Sequence, residues 1–171
     1  MISIRRLEQA TPAERQALTE LILATVNGGA SIGFLAPLAP EVAEGYWQGV
    51  LASLGPGLVL WVAEQDGRIV GSVQLAPSLR QNGLHRADLM KLMVHPTARG
   101  QGVSSRLLRE VEQFARGVGR TLLVLDSELG STAESVYQHH QWQRVGEIPG
   151  YAKDTGGVLR STVVYFKTLF P

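Results

Sequence analysis

The chain has 171 residues, 44% of them apolar, with 16 basic and 15 acidic side chains and a net charge of +1. That length suits one domain, residues 1–171, with a sizeable core, and the charge balance excludes a dedicated nucleic-acid binder, which carries a large basic excess. With no cysteine, the chain has no disulfide, thiolate metal site or cysteine nucleophile.

ISIRRL (2–7) reads as a first strand. Thr11-Pro12-Ala13-Glu14 is a helix start: threonine caps, proline takes the first helical position and Glu14 completes a capping box. Leu18, Leu21, Ile22 and Thr25 follow on one face, and Asn27-Gly28-Gly29 stops the helix. From Pro40, the spacing of Val42, Tyr46, Trp47, Val50, Leu51 and Leu54 predicts a second helix, ended by Gly55-Pro56-Gly57. LVLWVA (58–63) and residues 69–75 form a hairpin around Asp66-Gly67, and a third strand covers 86–94. Helical periodicity returns from Val103 through Val118. TLLVL (121–125) is a buried-type strand ending at Asp126. A short helix covers 132–140, and strands at 145–148 and 160–168 flank a glycine-rich loop, PGYAKDTGG. The order predicts an α/β (α+β) fold: a mostly antiparallel mixed sheet with one parallel βαβ unit and helices on both faces. The N-terminus lacks the apolar core of a signal peptide and no run approaches 18 apolar residues, so no membrane partner and a cytoplasmic location are expected.

The stretch HPTARGQGVSSRLL (95–108) carries the chemistry. Strand, Arg-Gly-Gln-Gly turn and helix leave main-chain N–H groups free at a positive helix end, which suits phosphate. Gly100 and Gly102 let an anion approach the backbone, and Ser104 and Ser105 add hydroxyls without bulk. Arg99, Arg106, Arg109, Arg116 and Arg120 face only Glu110 and Glu112 in this segment. A P-loop would need a Gly-Lys-Ser/Thr ending, and no lysine is here. A Rossmann fingerprint would need glycine at 105, which is serine, although Asp126 stands near where a ribose-binding acid would sit. The third candidate, Arg/Gln-x-x-Gly-x-Gly/Ala, reads here as Arg99, Gly102 and Ser104.

LMVHPTARGQGVSSRLLREVEQFA resembles the core motif of the GNAT superfamily of acyl-CoA-dependent N-acyltransferases, and the element order matches that fold. NGGASIGFLAPL, NGLHRADLMKLMVHPTARGQG and VGEIPGYAKDTGGVLRSTVVYFKTL further resemble the tabtoxin-resistance acetyltransferase branch over roughly residues 17–169. The resemblance implies acetyl-CoA as cosubstrate, no metal, and a cofactor site of Leu92, Met93, Val94, Arg99, Gly100, Gln101, Gly102, Val103, Ser104 and Ser105. In it an N–H near Met93 or Val94 polarises the thioester. It departs from the superfamily pattern at Gly130, where asparagine is frequent, and at Gln141-Trp142, where Gly-Phe is frequent.

Acetyl transfer to an amine needs a base, because removing a proton from an amine of pKa near 10 at pH 7 costs about 4 kcal/mol. The leaving thiolate needs an acid. Asp88 and Asp126 are both candidate bases, singly or as a pair, and the resemblance makes Tyr137 the acid. NGGASIGF would lie over the acceptor side, with Gly33 and Phe34 as substrate contacts and with loop anchoring as the other reading of Phe34. His85, His95, His139 and His140 show no shared metal geometry, and Trp47, Trp61 and Trp142 read as core or cleft wall. The expected activity is acetyl transfer to a small primary amine, amino-acid-like or a β-lactam toxin, with a homodimer among the expected partners. Protein N-acetylation, a CoA-binding sensor and an NADH-dependent Rossmann enzyme are the alternatives.

Overall fold

The computed structural model describes residues 1–169. Among the described residues there are seven strands, most of them alternating or continuous apolar runs: β1 (Ile2–Leu7), β2 (Val59–Gln65), β3 (Arg68–Pro77), β4 (Arg86–Val94), β5 (Leu122–Glu128), the largely exposed β6 (Gln143–Lys153) and β7 (Leu159–Thr168). They make one sheet in the order β1-β2-β3-β4-β5-β7-β6. Every neighbouring pair is antiparallel except β4 and β5. The helices are α1 (Pro12–Asn27), α2 (Pro40–Ala52), α3 (Val103–Gly117) and α4 (Thr132–His139).

Two apolar cores sandwich the sheet. On one face Leu18, Leu21, Ile22 and Val26 of α1 and Ala43, Trp47 and Val50 of α2 close over Leu60, Val62 and Met93. On the other, Val103, Leu107, Leu108 and Val111 of α3 and Tyr137 of α4 close over Trp61, Val73, Leu89, Leu123 and Leu125. The mixed sheet with helices on both faces is the architecture expected from the element order. The capping box forms as read: the Glu14 N–H donates to Thr11 Oγ1 at 3.3 Å and the Thr11 N–H to Glu14 Oε2 at 2.7 Å.

Two local features differ from the pattern reading. PGYAKDTGG is not all loop. Strand β6 runs through Pro149–Lys153 after an irregularity between Ile148 and Ala152, where Gly150 takes φ +58°. Strand β4 is also broken in register. Gln74 pairs with Met90 and Ser72 with Met93, so Lys91 and Leu92 together oppose Val73 in a bulge, with Lys91 at φ +53°.

Candidate active site

Strands β4 and β5 pair only at Arg86–Leu122, Ala87–Leu123 and Asp88–Val124. Beyond those rungs they part, and β5 continues against β7 alone to Glu128. Asp88 therefore stands at the last closed rung and does not line the cavity that opens beyond it. That cavity, about 290 Å³, is walled by residues 31–33 of the α1–α2 loop, Leu89 to Leu92 of β4, Asp126 to Glu128 of β5, Ala133 and Tyr137 of α4, Tyr151 and Ala152 of β6, and Arg160 to Thr162 of β7.

On the other side of the parting lies the glycine turn. After a short 3-10 turn at Pro96–Ala98, Gly100 and Gly102 both take left-handed φ, +74° and +75°. A side chain at either would meet nothing within 4 Å, so the turn faces open space. Gly102 is the N-cap of α3, and the first helical bond runs from the Arg106 N–H to Gly102 O at 3.1 Å. Among the described residues, none of the N–H groups of residues 100–105 donates to a main-chain or side-chain acceptor. Six unsatisfied donors at a helix start, in a turn shaped by two left-handed glycines, fit a diphosphate. Beside this turn lies the gap between β4 and β5. There the His95 N–H donates to Val70 O of β3 at 2.8 Å. By ladder alternation the Val94 peptide groups face away from β3, and Arg99 Nε donates to Val94 O at 3.4 Å on that open side.

The side chains expected around this turn are distributed unevenly. Gln101 bridges to the Thr97 carbonyl at 3.1 Å and receives Gln65 at 3.2 Å. The Ser105 hydroxyl is engaged with His140 Nε2 at 2.8 Å, which ties α4 to α3. Met93 is buried in the α1–α2 core, Val103 in the α3 core, and Leu92 lines the cavity. The local excess of arginines is partly structural. Arg106 holds Ile2 O at 3.0 Å, Arg120 holds Ser78 O at 3.2 Å, and Glu112 is clasped by Lys167 at 2.8 Å.

The cavity brings Asp126 and Tyr137 together. Leu123 and Leu125 point into the α3 core, so alternation turns Asp126 to the opposite face, where Thr162 Oγ1 donates to Asp126 Oδ2 at 3.0 Å. Tyr137 is 5% exposed and packs edge-on against Trp142 at 5.8 Å between centroids. Burial first, and then the negative charge of Asp126, hold the Tyr137 hydroxyl far above the ordinary phenol range. It keeps its proton at any physiological pH and is available as a donor. Gly33 lines the cavity. Phe34 does not; it packs against Tyr46 at 5.3 Å beneath the Lys91 ammonium, the anchoring role. The departures near Tyr137 have a structural basis. Gln141 adopts φ +61°, the conformation a glycine favours there, and Trp142 is buried against the tyrosine. Gly130 at φ +76° donates its N–H to Glu134 Oε2 at 2.8 Å.

Pattern reading missed Lys91, Glu128, Tyr151 and Arg160 on the cavity wall. Two weak signals existed. A lysine interrupts the apolar run LMKLMV, and Glu128 follows Asp126 by two residues, which places both on one strand face.

Residues 56–144 match the Acetyltransferase (GNAT) domain family. The chain belongs to the GNAT acetyltransferases. It is 35% identical over 127 residues to an uncharacterized N-acetyltransferase in the hisH–hisA intergenic region of Azospirillum brasilense, covering 73% of this chain and 74% of that one. It is 36% identical over 96 residues to human N-acetyltransferase 8B, which covers 53% of this chain but 41% of the relative's length. A GCN5-related N-acetyltransferase from Kribbella flavida superposes with a TM-score of 0.79 at 22% identity, over 98% of each chain. This GNAT chain is an acetyl-CoA-dependent acyltransferase. Among its described residues, no helix is long and apolar enough to cross a membrane.

Proposed function

We propose that this GNAT enzyme acetylates the primary amine of a small molecule in the cytoplasm, an amino-acid-like or β-lactam toxin, as a member of the tabtoxin-resistance branch. The observation that carries the reading is the meeting of Asp126 and Tyr137 on one cavity at the parting of β4 and β5, beside the open amides of the α3 turn.

Acetyl-CoA supplies an acyl thioester. Residues 99–105 hold its diphosphate through main-chain N–H groups, and the open side of β4 at Val94 offers an N–H to the thioester oxygen, where negative charge grows. Asp126 receives the acceptor ammonium through charge-assisted hydrogen bonding. Asp126 takes one proton from this ammonium, which frees the nitrogen lone pair to attack the thioester carbonyl; once the N–C bond has formed the nitrogen is acidic and sheds its second proton to solvent. The C–S bond breaks, and Tyr137 Oη gives its proton to the departing sulfur. Asp88, at the closed rung, lies behind this reaction path and acts through β4 geometry rather than on the amine.

The test is a thiol-release assay with acetyl-CoA across amines, amino acids and β-lactam analogues. Turnover is expected on at least one small amine, with Asp126→Asn and Tyr137→Phe losing rate while binding CoA normally. Tight CoA binding with no turnover on any acceptor would instead indicate a sensor.

A further inference from the structure

Resting on the small-amine reading above, we propose that the acceptor is a small zwitterion of the α-amino-acid type, its ammonium held by Asp126 and Glu128 and its carboxylate by Lys91. The cavity wall carries charges that no ion pair within 4.0 Å engages, although Lys91 and Asp126, and Arg160 and Glu128, attract one another at longer range. Glu128 shares a β5 face with Asp126, and its Oε2 is buried with no hydrogen-bond partner. A carboxylate oxygen removed from water without a donor is costly, and such atoms in native folds call for a missing partner. Asp126 has only the neutral Thr162 hydroxyl. Among the described residues, no cation stands within 4.0 Å of either carboxylate.

Across the parting, the β4 bulge turns Lys91 onto the same cavity. Its direct contacts are neutral, and the charge of Asp126 reaches it only from across the cavity, partly offsetting the burial that lowers its pKa. The ammonium donates to Ile32 O and lies 5.7 Å from the Phe34 ring centroid and 6.0 Å from that of Tyr46. Gly33, at φ +99°, stands close against this ammonium: a Cβ there would lie 2.9 Å from Lys91 Nζ and push the lysine end aside. The other cation on the wall, Arg160, is already paired with Asp154 at 2.8 Å. The cavity therefore presents two carboxylates on β5 and one ammonium on β4, unpaired with each other. A guest carrying its own separated ammonium and carboxylate satisfies both sides at once; a plain amine draws on the Asp126 charge that Lys91 otherwise feels and brings no carboxylate to replace it. Placing the guest's ammonium on β5 also puts its nitrogen beside Asp126, where the proton has to go.

The test is calorimetry on the enzyme–CoA complex, which binds without turning over, titrated with each standard L-amino acid, its methyl ester and its N-acetyl derivative. At least one free amino acid is expected to bind, with both derivatives weaker by roughly tenfold or more, as expected for losing a charged hydrogen bond. Lys91→Met should bring acid and ester within about twofold of each other, whereas Lys91→Arg keeps the preference. Glu128→Gln should weaken the amino acid about fivefold or more while the acid-to-ester ratio stays unchanged. Equal binding of acid and ester by the unaltered enzyme overturns the proposal, as does binding of no amino acid at all. Should Lys91→Met fail to bind CoA, the ligand ratios of the unaltered enzyme and of Lys91→Arg still decide it. Thiol release on ethanolamine or putrescine in the same preparation separates the two levels. If it persists while the amino acids fail, acetyl transfer to small amines stands and the zwitterion is wrong.

Discussion

The donor side and the acceptor side of this active site are built from different materials. The α3 turn offers main chain: among the described residues, six free N–H groups presented by two left-handed glycines, with the nearby hydroxyl of Ser105 committed elsewhere. The proposed acceptor cavity offers side chains, with Asp126, Glu128, Lys91 and Tyr137 delivered from three elements. A backbone site fixes its ligand's class, because any diphosphate satisfies N–H groups. A side-chain site fixes ligand identity, because each charge wants a complement at one place. The sharpest separation of the two is Asp126→Asn. It should lower kcat by on the order of 10² to 10⁴ while the CoA dissociation constant, measured by calorimetry, stays put. A parallel loss of CoA affinity would show that the two sides are one unit.

Gly71 on β3 probes how the donor side is held up. A Cβ there would lie 2.9 Å from Val103 Cγ1 and 3.0 Å from the Met93 carbonyl oxygen. Val103 is the first residue of α3, and the carbonyl belongs to β4 and cannot move aside cheaply. Gly71→Val should therefore cost about 1–3 kcal/mol of stability through overpacking, read as a lower thermal midpoint. CoA binding should weaken with it, since α3 is displaced at the end that carries the open amides. A midpoint within a degree of the parent would mean that α3 rides on the sheet less tightly than its contacts imply.

The glycine turn at the start of α3 was legible in sequence because it is a backbone feature. Left-handed φ at two positions two residues apart strongly favours glycine, and the preference is local, so it shows as Arg-Gly-Gln-Gly ahead of a helical period. Helix positions and the parallel unit followed from apolar spacing. The acceptor side leaves no comparable trace. Lys91 reaches the cavity only because a bulge turns it there, and the residues opposite it on β3 set that bulge. Glu128 gains meaning from a buried, partnerless oxygen, which is a tertiary fact. Asp88 illustrates the reverse. Its place in the motif made it a candidate, but pairing with Ala76 and Val124 fixes it behind the opening.

Gly102→Ala tests the backbone side more gently. An alanine at φ +75° costs roughly 1–2 kcal/mol in the left-handed region, yet its Cβ meets no neighbour. The strain should be relieved by rotating the turn, which misaims the N–H groups. Acetyl-CoA affinity should fall by about 5- to 30-fold, the equivalent of that strain, with kcat at saturating donor nearly unchanged. A fall in kcat instead would mean that the turn also positions the thioester.

The smallest effect is expected with the opposite sign. Gln141 holds φ +61° at the end of α4 without a glycine's freedom, and its N–H donates to Gln138 O at 3.0 Å while that of Trp142 donates to Tyr137 O at 3.0 Å. Those bonds seat the indole against Tyr137, so the strained residue supports that side chain and stands apart from both the cavity wall and the α3 turn. Gln141→Gly removes the left-handed penalty but loosens the unfolded chain, and the two effects oppose each other. A net gain of about 0.5 kcal/mol or slightly more should raise the thermal midpoint by a degree or two, leaving CoA and acceptor affinities alone. Activity is the informative readout. Unchanged kcat would show that the packing of Trp142 alone orients Tyr137. A lower kcat in a more stable enzyme would show that the stiffness of residue 141 is part of how the hydroxyl is aimed at the sulfur.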